Sequence, residues 1–122
     1  MGYRLFLDDV RTVDMVYPTL EDVFVVVRSY DACISYIKEN GLPEFMSFDN
    51  DLGEDENKTV LPDGYAVTKW LVYESGLDLV NFKFKVHSAN PVAKKQIEGL
   101  LNNYIKFQNN NAETNGKHTK QG

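Results

Sequence analysis

Two short apolar runs in this chain stop abruptly in acid. Tyr3 to Leu7, broken only by Arg4, ends at Asp8-Asp9, and Phe45-Met46-Ser47-Phe48 ends at Asp49-Asn50-Asp51. Such runs are too short for helices and suit buried strands, and the carboxylates that follow bring each strand end to solvent. Phe24 to Val27 is a further run of β-branched and aromatic residues. A chain built this way needs helices to cover its sheet, and the intervening segments supply them.

Ser29 and Asp31 start a helix in which Cys33, Ile34 and Ile37 share a face; Asn40-Gly41 closes it and Pro43 confirms the stop. The segment from Gly53 to Asp63 is polar and acidic, a surface loop ending in the turn signal Pro62-Asp63-Gly64. Val67, Trp70 and Leu71, with Ala66 beside them, then recur at helical spacing before Gly76. Phe82, Phe84 and Val86 alternate with Lys83, Lys85 and His87, the period of a half-exposed edge strand guarded by lysines. Asn90-Pro91 supplies an N-cap and a first-turn proline, and Ala93, Ile97, Leu100, Leu101 and Tyr104 line the last helix. Residues 108–122 hold almost nothing apolar and read as a disordered polar tail, leaving residues 1–107 as the folded domain.

The order β, β, α, β, α, β, α implies an α/β fold with a mostly parallel sheet. Right-handed crossovers gather the carboxyl ends of parallel strands at one rim, where ligands of such sheets bind. Three strand ends deliver polar groups there: Asp8-Asp9, Asp49-Asn50-Asp51, and His87-Ser88-Ala89-Asn90. Carboxylates held together repel, and a hard divalent cation with oxygen ligands relieves them, so Mg²⁺, or Mn²⁺ in its place, is the expected cofactor. Asp8, Asp9, Asp49 and Asp51 are the candidate ligands. Arg11 and Arg28 lie near the first two strand ends and are candidates for phosphate contacts.

Composition limits the partners. The 122 residues suffice for one core, and thirteen Lys plus Arg against eighteen Asp plus Glu give a formal charge of -5. Six acids and one lysine between residues 49 and 63 account for that whole surplus. The balance argues against non-specific binding to nucleic acid or an anionic membrane. Cys33 is the only cysteine, which excludes a disulfide framework and a thiolate zinc site. With no signal-like core and no run near the ~20 apolar residues of a membrane span, the protein is expected to be cytoplasmic and soluble.

The sets Leu5-Phe6-Leu7-Asp8-Asp9-Val10-Arg11, Ser47-Phe48-Asp49-Asn50-Asp51-Leu52-Gly53 and Val86-His87-Ser88-Ala89-Asn90-Pro91, with Leu61-Pro62-Asp63-Gly64 between them, resemble the receiver domains of response regulators. More closely, they resemble the variant group of cyclic-phosphate-processing receiver-like domains found in phages and bacteria. The resemblance covers residues 3 to 106. It implies a CheY-like (flavodoxin-like) three-layer sandwich with strand order 2-1-3-4, lacking the usual fifth strand and helix. It also implies a metal pocket of Asp8, Asp9 and Asp49, with Asp49 at the phosphoacceptor position and Ser88 as the hydroxyl that touches the phosphoryl group. No position matches the receivers' lysine, which puts the ordinary phosphorylation switch in doubt. His87 next to Ser88 is instead a candidate general acid or base, and Asp51 either a further metal ligand or the orienter of His87.

Plainer roles compete. Asp49 and Asp51 can serve as Asx turns, Ser88 and Asn90 as helix caps, and Arg28 as an ion-pair partner. Two functional classes follow: a metal-dependent enzyme that hydrolyses or transfers a small cyclic phosphate or nucleotide, and a non-catalytic phosphoacceptor or metal-dependent regulatory module that contacts a protein partner.

Overall fold

A computed structural model of the chain describes residues 2–19 and 23–121, with the backbone alone over 111–121. It contains β1 (Arg4–Leu7), α1 (Val13–Val16), β2 (Phe24–Val27), α2 (Tyr30–Asn40), β3 (Phe45–Phe48), α3 (Gly64–Tyr73), β4 (Lys83–Val86) and α4 (Pro91–Gln121). The four strands pair in parallel in the order β2-β1-β3-β4. Every strand therefore ends at the same rim.

Strand alternation divides the sheet's side chains between two faces. Leu5, Leu7, Val27, Met46, Phe48 and Val86 point into the main core with Ile37 of α2, Val67 and Leu71 of α3, and Ile97 and Leu101 of α4. Leu5, Leu7, Met46 and Phe48 are completely buried. The opposite face is covered thinly. There Phe6, Phe24 and Phe45 pack edge to face at 6.1 Å, Tyr17 stacks on Phe24 at 5.7 Å, and α1 contributes no buried residue.

Local chemistry sets the helix starts. Ser29 Oγ accepts from Ala32 N at 3.1 Å, Asp63 Oδ1 from Ala66 N at 2.9 Å, and Asn90 Oδ1 from Val92 N at 3.0 Å. Each satisfies an N–H that the first helical turn leaves unpaired. The expected faces of α2 and α3 are the buried ones, and β4 is an edge strand with Lys83 and Lys85 exposed. The short helix α1 has no counterpart in the sequence pattern, because four residues without a buried side chain carry no periodic signal.

Just past residue 107, one side chain of α4 is tied to the segment before β4. Gln108 Oε1 accepts from Leu79 N at 2.8 Å, so that side chain belongs to the folded domain. From residue 111 the side chains of the expected tail lie outside the described residues. Among the described residues, no helix is long and apolar enough to cross a membrane.

Candidate functional site

The rim is held in line by three bonds that extend the sheet one residue past its strands. Asp8 N donates to Val27 O at 3.2 Å, Asp49 N to Leu7 O at 2.8 Å, and His87 N to Phe48 O at 2.8 Å. The residues that follow β1, β3 and β4 therefore stand side by side. Carboxylate oxygens of Asp8, Asp9 and Asp49 lie within 4.8 Å of one another. Asp8 is fully buried, Asp49 is 7% exposed, and Asp9 is half-buried.

These carboxylates differ in electrostatic state. For Asp8, burial opposes ionisation, yet bonds from the Arg11 and Val10 N–H groups and from His87 overcome it and hold the carboxyl below its usual range. Both backbone donors reach Oδ1, at 2.8 and 3.0 Å. Asp49 is pushed up to about 6, first by burial and then by the neighbouring Asp8 charge, against one bond from Asn50 N. A buried carboxylate repelled by another is the environment that a divalent cation relieves, and the all-oxygen donor set fits Mg²⁺ or Mn²⁺.

A cleft of about 340 Å³ opens beside the cluster, lined by Asp9, Arg11, Asp49, Asp51, Ser88 and Asn90 among others. Arg11 Nη1 donates to His87 O at 3.3 Å and lies 3.6 Å from Asp8 Oδ2, which fixes the guanidinium at the cleft wall. Ser88 Oγ accepts from Asn90 N at 3.1 Å, leaving its proton to be donated into the cleft. Asn90 caps α4, as expected.

Three candidates stand elsewhere than expected. Arg28 donates to the carbonyls of Asp8 and Arg11, so it ties rim backbone together and does not face the cleft. Asp51 is exposed, stands outside the three-carboxylate cluster, and forms an Asx turn by accepting from Gly53 N at 3.0 Å. His87 is turned inward. Its side chain is 4% exposed, its Nε2 lies 3.0 Å from Asp8 Oδ2, its Nδ1 lies 2.6 Å from Ser47 Oγ, and its ring stacks on Phe6 at 4.8 Å. With both nitrogens occupied beneath the cluster, the imidazole is not placed to move a proton at a ligand in the cleft, and Asp51 does not orient it. Burial holds its pKa below the usual histidine range despite the Asp8 contact, which favours the neutral ring.

Sequence reasoning missed two contributors. Ser47, a fully buried hydroxyl in an apolar strand, carried a signal: a buried polar group needs a partner. Gly64 carried none. A Cβ there would stand 2.1 Å from Asp49 O, so only glycine lets the start of α3 lie against the end of β3.

The cyclic-phosphate processing receiver domain model matches residues 3–103, which span all four strands and the whole carboxylate rim. The chain belongs to that family. Among solved structures, this receiver domain is similar to NtrX from Brucella abortus, with 11% identity, a TM-score of 0.45, and coverage of 93% of this chain and 29% of that one. A comparison with curated proteins gives no match. The cluster formed by Asp8, Asp9 and Asp49 lies within the matched residues.

Proposed function

We propose that this receiver domain is a divalent-metal-dependent enzyme that opens a small cyclic phosphate by hydrolysis or transfer. The observation that carries the reading is a three-carboxylate cluster beside one cleft, with Asp9 and Asp49 of that cluster, a fixed guanidinium and a free hydroxyl proton on its walls. Asp8, Asp9 and Asp49 would hold the cation, which supplies charge neutralisation for a phosphoryl group and acidifies water. Arg11 would bind a non-bridging phosphate oxygen and Ser88 would donate to another. In hydrolysis, water oxygen bonds to phosphorus and one ring P–O bond breaks. The proton removed from water by Asp49 ends on the released hydroxyl, giving a phosphomonoester. His87, which the sequence reading placed in the proton transfer, supports Asp8 from behind instead.

The partner in this reading is a small phosphate-bearing ligand in the cytoplasm, reached through the cation and Arg11. The net charge of -5 disfavours non-specific nucleic acid. A second reading, a regulatory module phosphorylated on Asp49, is favoured by the position of Asp49 on the same cleft as Ser88. The test is turnover of a panel of nucleoside 2′,3′- and 3′,5′-cyclic monophosphates with Mg²⁺ or Mn²⁺. Asp49→Ala should reduce turnover at least 100-fold; wild-type activity no higher than this control rejects the enzyme. Labelling of Asp49 by an acyl-phosphate donor in that event would select the regulatory module.

A further inference from the structure

Below the carboxylate cluster, on the thinly covered face of the sheet, four polar side chains form a continuous chain. Tyr17 OH lies 2.7 Å from Ser47 Oγ, Ser47 Oγ lies 2.6 Å from His87 Nδ1, and His87 Nε2 lies 3.0 Å from Asp8 Oδ2. It joins four elements: the residue after β1, the segment closing α1, the middle of β3, and the residue after β4. Phe6 stacks on the imidazole with planes only 5° apart, so the ring cannot pivot without breaking that contact.

The direction of every bond follows from its far end. Asp8 already accepts two backbone N–H groups and is ionised, so it offers only acceptor sites to His87. Nε2 must therefore carry hydrogen and donate. In a neutral ring Nδ1 then has a lone pair, which accepts the Ser47 hydroxyl proton. Ser47 has one proton and has used it, so its oxygen accepts from the Tyr17 phenol. In a doubly protonated ring the two outer links would run the other way, from Nδ1 to Ser47 and from Ser47 to Tyr17, while the Nε2–H bond to Asp8 would stay.

We infer that His87 is a positioning residue whose Nε2–H tautomer, required by Asp8, is held in place by the Tyr17–Ser47 relay, and that this fixed Nε2–H aims the remaining lone pair of Asp8 Oδ2 at the cation site. This inference rests on the proposed metal reading of the cluster. Histidine–carboxylate contacts behind a metal site commonly change affinity 10- to 100-fold when removed. Here the carboxylate would hold the cation while the histidine supports the carboxylate, an arrangement that makes the middle of β3 part of the site.

The experiment uses the full chain labelled with ¹⁵N histidine. Long-range ¹H–¹⁵N spectra read the ring tautomer of His87 without metal, and calorimetric Mn²⁺ titration reads affinity. The wild type should show the Nε2–H form. Ser47→Ala should raise the Nδ1–H fraction and weaken Mn²⁺ about tenfold, and Ser47→Thr, which keeps the hydroxyl, should restore both. Tyr17→Phe should shift the tautomer less than Ser47→Ala. An Nδ1–H tautomer in the wild type overturns the relay, and so does a folded Ser47→Ala variant with unchanged tautomer and affinity. A wild-type chain with the Nε2–H form and no Mn²⁺ binding overturns the metal reading instead, and the assigned purpose of the relay falls with it.

Discussion

Asp8 and Asp49 are neighbours with opposite electrostatic fates, and the difference predicts how stability depends on pH. Asp49 has a folded pKa of about 6 against the usual 3.8. The folded state therefore binds more protons than the unfolded chain between those values, and stability falls as pH rises through that window. Asp8 runs the other way: its lowered pKa contributes stability above the usual carboxylate range, lost as pH falls through the folded value. The windows do not coincide, so the Asp49 effect can be isolated. Without divalent cations, Asp49→Asn should raise stability at pH 7 by about 1–2 kcal/mol, discounted for the open cleft, and by almost nothing at pH 4. Urea unfolding at the two pH values checks this. Equal gains at both would show that the aspartate charge is not the cause.

Among the elements, the start of α3 is the most tightly constrained. Gly64 N donates to Asn50 O at 2.8 Å, Tyr65 N to Asn50 Oδ1 at 3.1 Å, and the Cα of Gly64 lies against the Asp49 backbone with no room for a methyl group. Gly64→Ala should destabilise by about 2–3 kcal/mol, because backbone must yield. Gly99→Ala on α4, where a Cβ meets nothing within 4 Å, should be neutral or stabilising by up to about 1 kcal/mol. Thermal unfolding of the pair separates the close approach from ordinary helix propensity; equal losses would refute it. This junction shows where sequence reading stops. Leu5-Phe6-Leu7 and Phe45-Met46-Ser47-Phe48, each running into acid, made β1, β3 and the rim legible, because burial and solvent alternate sharply at those points. The parity of β4 also placed His87 on the face opposite Val86, hence beside Lys85 and away from the main core. What could not be read was the return of Tyr17 to that face, since α1 has no buried residue to mark it. A contact between residues 30 apart in sequence leaves no local trace.

Taken whole, the molecule spreads its acidity unevenly, and the structure divides the surplus of residues 49–63. Asp49 joins the cluster, while Asp51, Glu54 and Asp63 line an adjoining cavity of about 490 Å³. The loop between is ordered by a short antiparallel bridge between Glu54 and Val60, with Leu52 buried beneath it. Acid on both sides of the cleft raises the local concentration of cations and opposes a bare phosphate. A phosphate ligand should therefore bind only after the cation, and the order can be measured. A cation that binds the folded state alone stabilises by RT ln(1 + [L]/Kd), about 2.7 kcal/mol at a hundredfold excess over Kd. Mg²⁺ should thus raise Tm by several degrees, a chelator should reverse it, and Asp49→Asn should abolish most of the response while keeping its own metal-free gain. Inorganic phosphate should shift Tm only when Mg²⁺ is present. A phosphate shift of equal size in the chelated protein would mean that Arg11 and Ser88 bind the anion unaided, and the cation would lose its place in substrate recognition.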